Sequence, residues 1–191
     1  MQNPNYNHIP IEKEIYDYWE KNKFFKPNKS KKKYFSIVIP PPNITGSLHM
    51  GHALNNSLQD VLIRFYRMNG YETLWQPGTD HAGIATQAIV EKELSGKGIT
   101  KNLLGRKKFI EAVWKWKKES GDQILNQLKK LGCSCDWSRN RFTMDKDLSD
   151  AVVKTFIQLY QKKIIYKDTK LVNWDTKLET AISDLEVEQR E

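Results

Sequence analysis

The feature that most constrains the fold is the stretch PPPNITGSLHMGH, residues 40–52, which directly follows the apolar run YFSIVI. Proline lacks a backbone N–H and fixes φ, so three successive prolines end a strand that leads into them. Aromatic and β-branched residues dominate YFSIVI, which therefore predicts a buried strand over residues 34–39. The prolines predict a rigid exit from that strand, and the glycines and histidines that follow predict the start of a helix.

The residues after this stretch have helical periodicity. Apolar side chains recur at i, i+4, i+7, i+8 and i+11 between about Leu48 and Asn69, and Gly70 follows where a helix-ending glycine is expected. The segment YETLWQ predicts a second strand, PGTDHAG a loop and IATQAIVEKELSGKG a further helix. Strand, helix and strand in this order predict a parallel βαβ unit with a right-handed crossover. The apolar positions of the first helix are Leu54, Leu58, Val61, Leu62 and Phe65.

The flanking segments are predicted mainly as helices. We expect an amphipathic leading helix over residues 11–25, a helical region over 103–131 interrupted near Ser120 and Gly121, and a helix over about 148–161. Two short β-like pieces, KKIIYKD and KLVNWD, follow. These elements predict the α/β class, with a parallel sheet, covering helices and a leading amphipathic helix.

Charge and composition exclude some classes of protein. The 31 Lys and Arg against 23 Asp and Glu give a formal charge of +8, which favours an anionic partner such as a nucleotide or a nucleic acid. No apolar run approaches the roughly 20 residues of a membrane span, and the polar start lacks a secretory apolar region. The two cysteines, Cys133 and Cys135, are too few and too close for a disulfide framework. We therefore expect a cytoplasmic protein with no membrane partner.

Two loops are placed where a ligand would bind. In an open α/β sheet, ligands bind beyond the carboxyl ends of the strands, and residues 40–52 and 77–83 both occupy that position. His49 and His52 share one side of a helix near its N-terminus, where unpaired N–H groups attract phosphate. Gly51 allows a flat group to approach the backbone. The arrangement suits a nucleoside triphosphate, although it is neither a Walker sequence nor a G-x-G-x-x-G fingerprint.

Two alternatives stay open at the level of residue chemistry. His49 and His52, together with Cys133 and Cys135, supply four potential zinc ligands, although the cysteine spacing is one residue short of the usual C-x2-C. Asp80 is the one acid of its loop and can either balance a cationic ligand group or cap the following helix. Residue chemistry alone favours neither role of Asp80.

Four segments resemble a known family. HMGH preceded by PPPNITGSL resembles the HIGH signature of the class I aminoacyl-tRNA synthetases, and GTDHAGIATQ resembles the second loop of the valyl-tRNA synthetase family in particular. DWSRNRFTMD and AISDLEVE are also similar to that family, so the resemblance extends over nearly the whole chain. It implies the first half of a split Rossmann-like catalytic domain. The implied domains are an amino-terminal helical extension (1–33), this half domain with its HIGH-type motif (34–170) and a connector toward an editing domain (171–191).

The resemblance implies a nucleotide site at the first loop. His49 and His52 match the histidines that contact the ATP phosphates and stabilise the adenylation transition state. Gly51 matches the glycine against which adenine packs, and Thr45 belongs to the same motif and is expected near ATP. The expected substrate complex is ATP with Mg²⁺.

The same resemblance implies an amino-acid pocket and a reaction. Pro41 and Asn43 match positions that line the pocket, and Asp80 matches the carboxylate that holds the valine ammonium group. In the implied reaction the valine carboxylate attacks the α-phosphorus of ATP, giving valyl-adenylate and pyrophosphate. The valyl group then moves to the 3′ end of tRNA(Val), so tRNA(Val) is an expected partner.

The chain also departs from the family pattern. In some relatives the segment matching NWDTKLETAISDLEVE begins with C-x-x-C and binds zinc, but Asp175 and Leu178 stand at those positions, so we expect no protein-bound zinc. The KMSKS loop, the anticodon-binding region and the editing domain are absent from the sequence.

We therefore expect weak ATP binding and no activity from the chain alone, and a possible partner is a second chain that carries the KMSKS half. The alternative is a non-catalytic remnant, or a subunit of a split synthetase, that binds nucleotide or tRNA. Half a sheet should also expose an edge strand and apolar surface.

Overall fold

The computed structural model describes residues 7–28 and 33–188, which form two compact units, one ending at Ser149 and one beginning at Asp150. Parts of the predicted terminal domains, residues 1–6, 29–32 and 189–191, lie outside the described residues. The helices are α1 (His8–Lys21), α2 (Met50–Met68), α3 (Gly83–Ser95), α4 (Lys101–Leu104), α5 (Arg106–Lys130) and α6 (Lys146–Gln161). The strands are β1 (Tyr34–Val38), β2 (Glu72–Gln76), β3 (Gly78–Thr79), β4 (Arg141–Phe142), β5 (Asn173–Asp175) and β6 (Thr180–Ile182).

A parallel βαβ arrangement organises the first unit. β1 and β2 are hydrogen-bonded neighbours, paired from Tyr34 with Glu72 to Val38 with Gln76, and α2 connects them. Gly70 follows α2 with a φ of 82°, a left-handed conformation that glycine adopts without strain. The predicted order of strand, helix and strand is therefore confirmed.

A second parallel pair lies beyond the end of β2. β3 pairs with β4, Gly78 opposite Arg141 and Thr79 opposite Phe142. A Cβ at Gly78 would lie 3.0 Å from the Arg141 carbonyl oxygen, so the two backbones approach closely at this glycine. The pairing brings the segment DWSRNRFTMD beside the loop PGTDHAG.

The core of the first unit lies where α2, β2 and α5 meet. Trp75 of β2 is fully buried, and its indole N–H donates to Gln59 Oε1 of α2 at 3.0 Å. Burial of each large apolar side chain stabilises the fold by roughly 1.5–3 kcal/mol. The buried cluster consists of Ile39, Ile44, Ile63, Trp75, Ile124, Leu128, Cys133, Cys135 and Phe142.

Helix α1 is anchored through an aromatic hydroxyl. The Tyr16 hydroxyl donates to the Cys133 carbonyl oxygen at 2.5 Å and accepts the Trp137 indole N–H at 2.7 Å. Burial raises the pKa of Tyr16 well above its usual value, so the hydroxyl keeps its proton. Lys129 and Glu20 add an ion pair at 2.9 Å. The predicted leading helix is therefore present, but it begins three residues and ends four residues earlier than the predicted range 11–25.

The apolar face that predicts α2 is exposed. Leu58, Val61 and Phe65 are 61%, 64% and 54% exposed, whereas the buried residues of this helix are Asn56 and Ile63. Hydrophobic periodicity identifies the apolar face of a helix, but it does not identify the segment that packs against that face. Within residues 7–28 and 33–188, nothing covers most of this face, so the apolar surface expected from half a sheet is confirmed.

The prediction of a buried first strand is wrong, because β1 is also largely exposed. Among the residues that the structure describes, β1 has one neighbour in its sheet, and Tyr34 and Val38 at its two ends are 66% and 73% exposed. Aromatic and β-branched composition favours extended backbone on a pleated surface, and burial depends on how many neighbours that surface has.

The long helical region is interrupted at a different glycine from the one predicted. α5 continues through Ser120 and Gly121, and the break lies at Gly105, which has a φ of 76° and separates α4 from α5. A glycine inside a helix costs only about 1 kcal/mol relative to alanine, which tertiary packing can offset. Composition alone therefore placed the interruption wrongly.

The second unit contains most of α6 and a small antiparallel hairpin of β5 and β6. Asp175 Oδ1 accepts the N–H groups of Leu178 and Lys177, each at 2.8 Å, and these bonds lower the pKa of Asp175. Of the two predicted β-like pieces, KLVNWD supplies β5 but KKIIYKD contains no strand. None of the helices in the described ranges is both long enough and apolar enough to cross a membrane.

Candidate functional site

The two histidines of the first loop cap α2 together. His49 is the N-cap residue with extended backbone, and its Nδ1 accepts the Gly51 N–H at 3.1 Å. The His49 N–H donates to Nδ1 of His52 at 3.2 Å, which closes a reciprocal capping box. The two ring centroids are 3.9 Å apart. The histidines therefore meet at the start of the helix, as their spacing predicts.

These capping bonds fix the position of the ring protons. A ring nitrogen that accepts a backbone N–H carries no proton, so both Nδ1 atoms are unprotonated. Each neutral imidazole then has its proton on Nε2, and the pair presents two Nε2–H donors. Two such donors at the N-terminus of a 19-residue helix, where the helix dipole places partial positive charge, form a site that suits an anion.

The surroundings of His52 and the absence of a side chain at Gly51 both influence the histidine pair. The pKa of His52 is lowered, first by partial burial and then by its neighbour His49, so the neutral form is favoured. A Cβ at Gly51 would lie 2.9 Å from Cε1 and 3.0 Å from Nδ1 of His49, closer than van der Waals contact allows. Gly51 therefore leaves the space that the His49 ring occupies.

Helix α5 holds the loop that leads into α2. Three of its side chains, at positions that share one helical face, bond to this loop. The bonds join Trp116 Nε1 to the Ile44 carbonyl oxygen (2.8 Å), Gln123 Nε2 to Ser47 Oγ (2.9 Å) and the Leu48 N–H to Gln127 Oε1 (2.9 Å). Sequence reasoning missed these residues, because the periodicity of a helix does not say which loop it faces.

The two predicted ligand loops run side by side. The Asp80 N–H donates to the Pro42 carbonyl oxygen at 2.8 Å, and the Ile44 N–H donates to the Asp80 carbonyl oxygen at 3.1 Å, so Asn43 and Asp80 form a parallel bridge. Pro42 and Ile44 are buried, whereas Pro41 and Asn43 are exposed. Because sides alternate along extended backbone, the two predicted pocket residues lie on one open side.

Thr45, the remaining predicted nucleotide residue, directly follows this bridge and is half-buried. Its position lies between the bridge at Asn43 and the capping pair at His49. The first loop thus leads from the predicted amino-acid residues to the predicted nucleotide residues.

The Asp80 carboxylate is held on both oxygens. Oδ1 accepts the Thr143 hydroxyl proton at 3.0 Å, and Oδ2 accepts the Ala82 N–H at 3.2 Å. The N-cap of α3 is Ala82, in a left-handed conformation and without a side-chain cap, so the alternative that Asp80 caps this helix is wrong. The Asp80 side chain is 29% exposed and can still accept a ligand group. Thr143 is a further residue that sequence reasoning missed.

A cavity of about 330 Å³ lies beside the Asp80 loop, between α3, α5 and the residues after β4. Ile44 and His81 belong to its wall, whereas His49, His52 and Asp80 do not. The cavity therefore adjoins the second loop and is distinct from the space in front of the histidine pair.

The four potential zinc ligands are in different surroundings. Cys133 and Cys135 are buried in the core, and burial, with the Asp60 carboxylate adding to it, raises the pKa of Cys133 to about 12. Burial raises the pKa of Cys135 as well. Across residues 7–28 and 33–188, no group of three or more His, Cys, Asp or Glu side chains is placed to hold a metal ion.

Curated relatives are valine–tRNA ligases. The enzyme of Pelagibacter ubique (strain HTCC1062) is 71% identical over this whole chain, which covers 22% of that protein. The enzyme of Geobacter sulfurreducens is 58% identical over 97% of this chain, which covers 21% of that protein. The chain therefore spans about a fifth of the length of the curated relatives it matches.

Structural and family comparisons agree with the fold described above. The LeuRS of Agrobacterium radiobacter K84, solved in a ternary complex with tRNA and LeuAMS, superposes with a TM-score of 0.76, covering 94% of this chain and 21% of that one at 24% identity. This likeness confirms the α/β, Rossmann-like fold. A family described as tRNA synthetases class I (I, L, M and V) matches residues 14–191. Because this match covers nearly the whole chain, the chain belongs to the class I tRNA synthetases of the isoleucine, leucine, methionine and valine group.

Proposed function

We propose that this chain is the ATP- and valine-binding amino-terminal part of a valine–tRNA ligase. The observation that carries the proposal is the reciprocal capping of His49 and His52 on α2, beside a loop that is bridged to Asp80. The identity of 58% to 71% with valine–tRNA ligases supports valine as the amino acid. In this proposal residues 34–170 are the first half of the catalytic domain, residues 1–33 a helical extension and residues 171–191 a connector toward an editing domain.

The nucleotide is bound at the start of α2. The Nε2–H groups of His49 and His52 donate to the phosphates of ATP, which arrives as its Mg²⁺ complex. Adenine packs on the backbone at Gly51, and Thr45 lies near the nucleotide. Fixed donors of this kind stabilise negative charge that grows in the transition state without having to reorganise.

Valine is bound at the second loop. Asp80 holds the ammonium group as a counter-charge, and Pro41 and Asn43 line the pocket. A valine carboxylate oxygen forms a bond to the α-phosphorus while the bond from that phosphorus to the bridging oxygen breaks, so pyrophosphate leaves with the electron pair. No protein nucleophile takes part, and the rate comes from positioning and charge stabilisation.

The valyl group then moves to the 3′ end of tRNA(Val), in the cytoplasm. The solved LeuRS relative in complex with tRNA supports a nucleic acid as partner, as does the formal charge of +8. The lysines of a KMSKS loop, on the remainder of the protein or on a second chain, complete the phosphate site.

A chimera tests this proposal. The 191 residues replace the matching 22% of the Pelagibacter ubique enzyme, and valine-dependent exchange between ATP and pyrophosphate is measured. We expect exchange within about tenfold of the parent enzyme, and none from the chain alone. A folded chimera that binds ATP or tRNA but catalyses no exchange would contradict the proposal and favour the non-catalytic remnant.

A further inference from the structure

Thr143 joins the Asp80 loop to a distant segment of the chain. It follows β4, and its N–H donates to the Thr79 carbonyl oxygen at 3.1 Å, which continues the pairing of β3 with β4. This pairing places the Thr143 hydroxyl 3.0 Å from Asp80 Oδ1, although the two residues are 63 positions apart. The contact exists only because the two segments pair.

The hydrogen bonds at this hydroxyl have one consistent arrangement. A threonine hydroxyl has one proton and two acceptor positions, and an ionised carboxylate can only accept. Thr143 therefore donates its proton to Asp80. The His81 N–H at 2.9 Å and the His81 Nδ1 at 2.7 Å must then both donate to Thr143 Oγ1. It follows that the His81 ring carries a proton on Nδ1.

This arrangement fixes the rotation of the Asp80 carboxylate. Thr143 holds Oδ1, the Ala82 N–H holds Oδ2 at 3.2 Å, and each oxygen keeps lone pairs for another donor. His81, whose Nδ1 lies 3.4 Å from Asp80 Oδ1, is held beside the carboxylate by the same hydroxyl. A carboxylate held in this way presents its free lone pairs in one fixed direction.

We propose that Thr143 is a positioning residue of the amino-acid site, which aims the Asp80 carboxylate at the substrate ammonium group through its hydroxyl. The inference rests on the proposed function, because that function assigns the ammonium group to Asp80. Thr143 itself does not touch the reacting atoms. Its effect is therefore on the affinity for valine and not on the chemical step.

The test uses the chimera described above with Thr143→Val, which keeps the shape and removes the hydroxyl, and with Thr143→Ser, which keeps the hydroxyl. We expect Thr143→Val to raise the KM for valine about 10- to 100-fold, the range for one hydrogen bond to a charged group. The KM for ATP should stay within about twofold, kcat should fall less than the KM for valine rises, and Thr143→Ser should restore most of the affinity.

Thr86→Val is the matched control. The Thr86 hydroxyl donates to the His81 carbonyl oxygen at 2.7 Å, in the same turn, and Thr86 is only 2% exposed. The Thr86→Val substitution should lower the midpoint temperature of unfolding and leave the KM for valine within about twofold. An unchanged KM for valine in Thr143→Val, a Thr143→Ser variant as impaired as Thr143→Val, or an equal rise in Thr86→Val would each overturn the positioning role.

A second measurement separates this inference from the proposed function. Nitrogen-15 spectra of the histidine rings in the 191-residue chain should show His81 with its proton on Nδ1, and Thr143→Val should remove that preference. An Nδ1 of His81 without a proton in the unmodified chain would overturn the hydrogen-bond arrangement. An inactive chimera together with the expected spectra would overturn the proposed function, and the role in valine binding with it.

Discussion

The two ligand loops differ in where their support comes from. The imidazoles of the first loop are held by backbone groups two or three residues away, in a capping box that closes within the first turn of α2. The carboxylate of the second loop is held by a hydroxyl 63 residues away, delivered by the pairing of β3 and β4. The comparison shows that the histidine pair of the first loop is held by local contacts. The orientation of the Asp80 carboxylate in the second loop depends instead on a tertiary contact of the folded chain.

The largest effect should come from the first loop. In the chimera, His52→Ala should lower the rate of adenylation about 10- to 1,000-fold, because a donor to the phosphates is lost in the transition state. The KM for valine should change little. Single-turnover measurement of valyl-adenylate formation checks this, and a rise in the KM for valine without a fall in rate would reverse the roles assigned to the two loops.

The next largest effect should come from the second loop. Asp80→Asn keeps the size of the side chain and removes its charge, so we expect the KM for valine to rise about 100-fold with the KM for ATP unchanged. Initial rates of pyrophosphate exchange at varied valine and ATP provide both constants. Similar changes in both constants would mean that the loops form one site without division of labour.

A smaller effect is expected from Gly51→Ala. The new Cβ would lie 2.9 Å from Cε1 of His49, so the ring must move and the capping bond is weakened. We expect about a tenfold fall in adenylation rate with the KM for valine unchanged. Gly121→Ala is the control, since a Cβ at this helical glycine meets nothing within 4 Å. That control should raise the thermal midpoint, as alanine favours a helix.

The smallest effect concerns pH. The titration midpoint of His52, measured by nuclear magnetic resonance of the chain, should lie below 6.5, and His49→Ala should raise it only in part because burial is the larger cause. A base whose pKa is lowered by folding binds its proton more readily when unfolded. The stabilising cap is therefore complete above about pH 6.5 and is lost as the pH falls through the lower midpoint. A His52 midpoint at or above 6.5 would contradict the burial described for the ring.

Local features of the fold and site could be predicted from the sequence. The apolar periodicity and Gly70 placed α2 within two residues of its observed ends. The spacing of His49 and His52 predicted that both lie on one side at the start of α2, and the loop positions followed from the order of strands. The helix and the histidine pair depend on residues that are close in the sequence, and the loop positions depend on the order of elements along the chain, so no tertiary contact had to be known.

Features that depend on tertiary contacts could not be predicted. Thr143 reached Asp80 through a strand pair of only two residues on each side, too short to give a periodic signal. Trp116 gave no sign that it would bond to the Ile44 carbonyl oxygen. The exposure of Phe65 and its neighbours on α2 could not be predicted either, because an apolar stripe has the same sequence pattern whether or not another segment packs on it.

The two buried thiols have a practical consequence. Cys133 and Cys135 are 1% and 0% exposed and have raised pKa values, so neither reacts with an alkylating reagent while the core is closed. The rate of labelling in native buffer then measures how often α2, β2 and α5 separate. The chain thus contains two native reporters of transient core opening, and no cysteine has to be introduced to use them.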